Sequence, residues 1–184
     1  TEYLIELLSQ SFKVALLSRG YKRKTSGYRL STNNSTSKEI GDEPYQIKQK
    51  YPCIHVAVDG NRCRGIHHLC EDDQSKDVEV VLLDDAFQHR YVVPGINIVL
   101  ADYNRPIHED RLMPIGMLRE PVSSIHRAHV VIVTKCPTNI KPIDFRIAAK
   151  HLELRPYQRL YFTTFVYGDL RAFTNSAIHR SLAT

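Results

Sequence analysis

One apolar stretch, residues 78–89 with the sequence VEVVLLDDAFQH, restricts the possible folds of this chain more than any other. Its Val and Leu residues follow one another without polar alternation, which predicts a strand buried on both faces at the centre of a parallel α/β sheet. Ligands of such sheets bind beyond the carboxyl ends of the strands. We therefore expect four side chains at a functional edge: Asp84, Asp85, Gln88 and His89.

The adjacent carboxylates of Asp84 and Asp85 have two interpretations. Like charges this close repel each other unless positive charge lies beside them, and a hard divalent cation is the most common source of it. Alternatively, one of the two side chains caps the following element at a solvated turn. The stretch alone does not choose between a metal site and a cap.

Apolar and amphipathic segments alternate along the whole chain. Besides the first stretch, strands are predicted at residues 12–18, 28–32, 53–58, 96–102, 130–134 and 160–167. Helices are predicted at residues 1–10, 44–51, 61–70, 122–127 and 140–154. The alternation indicates an α/β fold with a mostly parallel sheet flanked by helices. A length of 184 residues suits one domain, which we assign to residues 1–168, and we expect the aperiodic tail at 169–184 to be poorly ordered.

The net charge of +5 and a pI near 9.0 suggest an anionic partner. The basic residues concentrate in one loop after the first predicted strand: Arg19, Lys22, Arg23, Lys24 and Arg29. Phosphoryl groups and anionic lipid headgroups both suit such a loop, and a solvated cationic face is the alternative. Nucleic acid is not expected, because the chain contains no recognised nucleic-acid-reading motif.

The four cysteines, at positions 53, 63, 70 and 136, have no paired spacing and fit a reduced, cytosolic setting. Cys63 and His67 would share a helical face, but no second ligand pair at zinc-finger spacing accompanies them. The sequence therefore predicts neither a disulfide framework nor a zinc site. No apolar run approaches the length that spans a bilayer.

Acidic residues follow several predicted strands, namely at Asp59, at the Asp84–Asp85 pair and at Asp102. Paired acids with nearby Arg and Lys suit phosphoryl transfer, since metal must bridge the phosphates and cations must neutralise the transferred group. The long segment at residues 103–121 is predicted to be a functional loop. None of the eight glycines is followed by Lys, so the chain lacks the P-loop signature.

Four motifs occur in the order and at roughly the spacings of one enzyme family: LSRGYKR at residues 17–23, GDEP at 41–44, LDDAFQH at 83–89 and LMPIGMLREP at 112–121. Over residues 1–168 the chain resembles the tetraacyldisaccharide 4′-kinases, the lipid A 4′-kinases of Gram-negative bacteria. The resemblance implies an incomplete P-loop NTPase-like fold, with residues 1–168 as the central part of a kinase domain. It also implies transfer of the ATP γ-phosphate to the 4′-hydroxyl of a tetraacyldisaccharide 1-phosphate. The family acts peripherally on the anionic cytoplasmic face of the inner membrane.

The resemblance implies that several residues bind the nucleotide and its Mg2+. Asp84 and Asp85 correspond to the acidic pair that follows a Walker-B-type strand and serves the metal. Glu120 resembles a further metal contact, with Arg119 beside it as a phosphate contact. Gln88 resembles a nucleotide-site residue next to the acid pair.

The remaining site residues concern the transfer itself. By resemblance, Asp42 in GDEP is the candidate general base for the 4′-hydroxyl, and Asp85 and His89 belong to the catalytic centre. Arg19 and Tyr21 are candidates for contact with the acceptor sugar or its phosphate.

The segment GDEP also has a purely structural interpretation. Pro44 suits the first position of a helix, and Asp42 or Glu43 would then precede it as a cap.

Two parts of the family pattern are expected outside the chain, since the phosphate loop would end before Thr1 and a C-terminal domain would follow Gly168. We therefore expect an internal fragment with negligible kinase activity of its own. A non-catalytic module that binds a nucleotide or another anionic ligand is the alternative function.

Overall fold

The computed structural model describes residues 1–168 and the backbones of Leu170–Arg171 and His179–Arg180. The chain forms two compact units, Thr1–Val93 and Pro94–Thr184. Each unit contains parallel strands with helices between them, as the alternating sequence pattern predicts. No helix within the described residues is long and apolar enough to cross a bilayer.

The first unit has a four-stranded sheet in the order β2-β3-β1-β4. Strand β1 pairs in parallel with both β3 and β4, and the short β2 runs antiparallel to β3. The elements of this unit are α1 (Glu2–Leu8), β1 (Val14–Ser18), β2 (Arg29–Leu30), α2 (Ser37–Ile40), α3 (Asp42–Lys50), β3 (His55–Val58), α4 (Arg62–Glu71) and β4 (Val80–Leu83).

The apolar stretch that the sequence places at the centre of the sheet forms β4, which is the last strand of this unit's sheet. All five residues of β1 are buried, whereas the four residues of β4 are each only partly buried. The prediction of a parallel strand is confirmed, but its central position in the sheet is wrong. Strand β1 is central because it has pairing partners on both sides, and pairing between distant segments is not encoded in the apolar run itself.

Alternate residues of β1 pack on opposite faces of the sheet, as the two-residue period of a strand requires. Val14 and Leu16 lie in one apolar cluster with Ile5 of α1 and Ile47 of α3. Ala15, Leu17, Ala57 and Leu69 of α4 form the other cluster. Helices on both faces therefore fix β1, and with it the position of its carboxyl end.

The second unit has a three-stranded parallel sheet in the order β5-β6-β7. Its elements are β5 (Ile98–Asp102), a 3-10 helix (Val122–Arg127), β6 (Val130–Thr134), α5 (Pro142–Leu152) and β7 (Arg159–Phe162). The predicted strand at 130–134 is confirmed at both ends. The last predicted strand is too long, because regular pairing with β6 ends at Phe162.

The predicted tail at residues 169–184 lies mostly outside the described residues. Within it, β8 (Leu170–Arg171) and β9 (His179–Arg180) pair with each other antiparallel.

Candidate active site

Residues that follow three strands of the first unit lie at one edge of its sheet. Leu17 of β1 is in register with Leu83 of β4, and Ser18 with the last residue of β3. The backbone N–H of Asp84 donates to the Leu17 carbonyl (3.2 Å), and that of Asp59 donates to the Ser18 carbonyl (3.0 Å). The strand-end acids and the start of the basic loop therefore meet at the edge where the sequence predicts a site.

The acid pair begins a turn directly after β4. The Asp84 carboxylate accepts a hydrogen bond from the hydroxyl of Thr1, the N-cap residue of α1 (2.6 Å). Asp85 has a φ of 44°, in the left-handed region, which Asp adopts more readily than most residues. The N–H of His89 then donates to the Ala86 carbonyl (2.8 Å). Asp84 and Asp85 thus lie in a turn directly after β4, and Gln88 and His89 follow within the next four residues in a second turn.

Behind this turn lies Arg62, in the first turn of α4, with only 1% of its surface exposed. Its Nη1 donates to the Asp59 carbonyl (2.5 Å) and its Nη2 to the Asp84 carbonyl (3.2 Å). Burial lowers the pKa of the Arg62 guanidinium, and the nearby Arg19 lowers it further, while the carboxylates of Asp84, Asp85 and Asp59 oppose this shift. A buried positive charge therefore lies within electrostatic range of the acid pair.

Asp59, a predicted strand-end acid, has a carboxylate that is completely buried and paired. Arg64 binds both of its oxygens, with Nε–Oδ2 and Nη2–Oδ1 distances of 2.8 Å, and the N–H of Asn61 donates to Oδ1 (2.9 Å). Burial raises the pKa of Asp59, but these hydrogen bonds and the nearby guanidinium charges outweigh it and hold that pKa below its usual value. Asp59 thus anchors the start of α4.

The basic loop after β1 is in direct contact with the GDEP segment. Gly41 has a φ of 94°, and a Cβ at this position would lie 3.2 Å from the Cα of Gly20 and 3.0 Å from the carbonyl oxygen of Tyr21. A Cβ here would force the neighbouring backbone to shift by a few tenths of an ångström, and the positive φ would add strain, so glycine suits this position best. The contact holds the next residue, Asp42, beside the loop that carries Arg19 and Tyr21.

The predicted start of the helix at Pro44 is wrong by two residues. Helix α3 begins at Asp42 with Gly41 as its N-cap, and no side chain caps it. Asp42 and Glu43 therefore lie in the first helical turn, where acidic side chains complement the helix dipole, and the interpretation of either as the cap is wrong. The exposed Asp42 carboxylate is not used to cap this helix.

Arg119 and Glu120 lie in the second unit, just before the 3-10 helix, whereas the acid pair lies in the first. The Glu120 side chain is 14% exposed and forms an ion pair with Arg127. Arg119 is exposed.

The acid pair suits Mg2+ better than a cation that needs a cage of protein ligands. Within the described residues, no group of three or more His, Cys, Asp or Glu side chains could hold a metal ion. Mg2+ does not require one, because it keeps several waters and binds through one or two carboxylates and the substrate phosphates. Asp84 and Asp85 offer two adjacent carboxylates at the edge of the sheet, so these residues fit the protein half of such a site.

Sequence reasoning missed Arg62 and the two glycines. A charged residue in the first turn of a helix is normally solvent-exposed, so nothing local indicates the burial of Arg62. Its one signal is its position, three residues after the strand-end Asp59. Gly20 and Gly41 occur inside two recognised motifs, but their contact is visible only in the folded chain.

Comparisons of this chain with a family model, with curated proteins and with solved structures all indicate the same family. The family model described as "LpxK: Tetraacyldisaccharide-1-P 4'-kinase" matches residues 1–177. The chain is 58% identical over 170 residues to the tetraacyldisaccharide 4'-kinase of Phocaeicola vulgatus and 59% identical over 172 residues to that of Bacteroides fragilis. These matches cover 92% and 94% of this chain but 46% of each relative. The chain therefore spans about half the length of the curated relatives it matches.

One solved structure is similar in fold as well as in sequence. It is the crystal structure of the "apo" form of LpxK from Aquifex aeolicus in complex with ATP, with a TM-score of 0.64 and 36% identity. The match covers 71% of this chain and 41% of that one. The predicted fold class, an incomplete P-loop NTPase-like α/β fold, is confirmed by this likeness.

Proposed function

The chain belongs to the tetraacyldisaccharide-1-P 4'-kinase family, and on that premise we propose that its full-length gene product phosphorylates the 4′-hydroxyl of a tetraacyldisaccharide 1-phosphate in lipid A biosynthesis. ATP is the proposed donor, which is supported by the similar structure in complex with ATP. The observation that carries the proposal is the meeting of the acid pair, the basic loop and the start of α3 in one unit.

The proposed roles of the acids follow from their positions. Asp84 and Asp85 would hold Mg2+, which when bound neutralises charge on the nucleotide phosphates. Asp84 is held at two points, because its N–H donates to the Leu17 carbonyl of β1 and its carboxylate accepts from the hydroxyl of Thr1, the N-cap residue of α1. Glu120 is proposed as a further metal contact, by resemblance.

Gln88, His89 and Arg119 are also assigned by resemblance. Gln88 and His89 lie in the turn that follows the acid pair, where they would orient the phosphoryl group. The exposed Arg119 guanidinium is proposed to bind phosphate oxygens, which its fork of donors suits.

Asp42 is proposed as the general base. Its carboxylate is exposed and is not used to cap α3. It would accept the proton of the 4′-hydroxyl as the oxygen attacks the γ-phosphorus, while the bond from that phosphorus to the β–γ bridging oxygen breaks and ADP leaves. The neighbouring basic loop would hold the acceptor, with Tyr21, 72% exposed, against the sugar ring and Arg19 on an anionic group.

The sharpest test of the base compares Asp42→Asn with Glu43→Gln in the full-length gene product. Both are exposed acids of the first turn of α3, so the second variant controls for charge at the helix start. Loss of a general base costs about 100- to 10,000-fold in kcat, which is the expected result for Asp42→Asn only. Equal effects of the two substitutions would show that Asp42 acts through the helix rather than on the acceptor.

We further propose that the enzyme binds peripherally to the anionic cytoplasmic face of the inner membrane. The support is the loop between β5 and the 3-10 helix, where Met113, Ile115 and Met117 are 62%, 79% and 63% exposed. Apolar side chains presented together suit a lipid surface. Exposed Arg111 adds a cation that anionic headgroups attract.

This loop is held in shape by Asp110. Its carboxylate accepts hydrogen bonds from the backbone N–H groups of Arg111 (2.8 Å) and Met117 (3.2 Å) and pairs with Arg105 (2.7 Å). A Cβ on Gly116 would lie 2.1 Å from the Arg111 carbonyl oxygen, so only glycine closes the loop. The apolar side chains are therefore displayed by a defined structure, which supports a binding role.

A further inference from the structure

Arg62 is a charged side chain that is almost completely buried. A charged group is removed from water at a high cost in free energy unless hydrogen bonds and opposite charges compensate it. The guanidinium is 1% exposed, and its Nε–H has no hydrogen-bond partner within the described residues. Its Nη1 and Nη2 groups instead donate to two backbone carbonyls, those of Asp59 and Asp84, which an apolar side chain could not satisfy.

The two hydrogen bonds of Arg62 join the ends of two strands that do not pair with each other. Nη1 binds the carbonyl of Asp59, which follows β3, and Nη2 binds the carbonyl of Asp84, which follows β4. Strand β1 lies between these strands. The planar guanidinium therefore bridges the residues that follow the two neighbours of β1. In this way it ties Asp84, the first residue of the turn after β4, to the start of α4.

The positive charge of Arg62 acts on the carboxylates of Asp84 and Asp85 through space, without a hydrogen bond to either of them. The Asp59 carboxylate is already occupied by Arg64, and the acceptors of Arg62 are backbone carbonyls. Adjacent carboxylates repel each other, and a fixed positive charge behind them offsets part of this repulsion before a cation arrives. Asp85 also has a left-handed backbone, which the surroundings must hold in place.

Building on the kinase function proposed above, we propose that Arg62 is a positioning residue, which fixes the Asp84–Asp85 turn and supplies the buried charge that prepares this pair for Mg2+. It does not touch the substrate. Its loss should therefore weaken metal binding while the acceptor site, built from a different loop, stays intact.

The test uses the full-length gene product with Arg62→Met, Arg62→Lys and Arg64→Gln. Mn2+ binding in the presence of a non-hydrolysable ATP analogue is measured by electron paramagnetic resonance, and the Mg2+ dependence of transfer is measured in parallel. Loss of a residue that supports metal ligands weakens metal affinity about 10- to 100-fold, which is expected for Arg62→Met. Arg62→Lys keeps the charge but cannot span both carbonyls, so we expect a smaller loss. Arg64→Gln removes an arginine of the same helix that binds only Asp59, and Mn2+ affinity should stay within about twofold.

An unchanged Mn2+ affinity in a folded Arg62→Met protein would overturn the proposal, as would an equal loss in Arg64→Gln. If Arg62→Met does not fold, Arg62→Lys decides the question alone: a weakened Mn2+ affinity supports the proposal, and an unchanged one overturns it. A wild-type protein that binds Mn2+ but transfers no phosphate would contradict the kinase function, and the binding measurements would still decide the role of Arg62.

Discussion

Gly20 and Gly41 meet backbone to backbone, so that a Cβ added to Gly41 would lie 3.2 Å from the Cα of Gly20. The first belongs to the loop after β1, and the second is the N-cap of α3. This contact brings Asp42 beside Arg19 and Tyr21. Its geometry depends on two residues without side chains, which makes it open to a direct test.

Gly41→Ala should destabilise the chain more than Gly27→Ala. Both glycines have positive φ, 94° and 72°, so each substitution strains the backbone by about 1–3 kcal/mol. Only at Gly41 would the new Cβ meet other backbone atoms, since nothing lies within 4 Å of a Cβ at Gly27. Urea denaturation of the two variants measures the difference. Equal free energies of unfolding would contradict the crowded contact.

Asp59→Asn should make the free energy of unfolding depend less on pH in the acidic range. The pKa of Asp59 is lowered in the folded chain, so its stabilising contribution is complete above the unfolded pKa of about 3.9 and is lost as pH falls through the folded pKa. We expect the variant to lose about 1–3 kcal/mol at pH 7, because the buried side chain of residue 59 no longer forms charge-assisted hydrogen bonds with Arg64 and with the N–H of Asn61. Its stability should then change less than that of the wild type below pH 4.

Asp73→Asn provides the control for this pH dependence. Asp73 also pairs with a cation, Lys76, but its side chain is 89% exposed. Exposed ion pairs contribute little, so this variant should retain the wild-type stability profile. Denaturation midpoints measured from pH 2 to pH 7 compare the three proteins, and parallel curves would argue against a special role of the Asp59 pair.

The sequence predicts local structure well because local structure depends on patterns within one segment. The apolar run of β6 and the amphipathic spacing of α4 appear close to their predicted bounds, and the acid turn follows its strand. Strand order depends on which distant segments pair, so two similar apolar runs, β1 and β4, could not be ranked as central or terminal.

The candidate site shows the same limit. Motifs indicated Asp42 and the acid pair, because these residue types carry the chemistry themselves. Arg62 is different, since its role arises from carbonyl groups of two other segments, and its burial is created only when β3, β4 and α4 come together.

Asp84→Asn and Asp85→Asn should each weaken metal binding by about tenfold or more, because an amide oxygen carries no net charge for a hard cation. Asp77→Asn is the matched control, because Asp77 precedes β4 whereas the acid pair follows it. The Oδ1 of Asp77 lies 3.6 Å from Nε2 of His55. Mn2+ titration of the full-length gene product with a non-hydrolysable ATP analogue gives the affinities. If all three variants bind Mn2+ alike, the acid pair is a structural turn.

Replacement of Met113, Ile115 and Met117 by Ser should reduce binding to vesicles that contain anionic lipid. Full burial of one large apolar side chain contributes about 1.5–3 kcal/mol, so a fall of about tenfold or more in the partition coefficient is expected. The control replaces Ile143 and Ile147 of α5, which are 55% and 47% exposed. Sedimentation with vesicles measures binding of the full-length gene product. Equal losses in both variants would contradict a lipid-facing loop.

The central claim is phosphate transfer, and the most direct measurement follows labelled γ-phosphate from ATP to a tetraacyldisaccharide 1-phosphate. We predict that the full-length gene product adds one phosphate at the 4′-oxygen in a Mg2+-dependent reaction, whereas the 184-residue chain alone transfers a negligible amount. Nuclear magnetic resonance of the product identifies the modified oxygen. A full-length product that binds ATP but leaves the acceptor unmodified, or that modifies another hydroxyl, would contradict the proposed function.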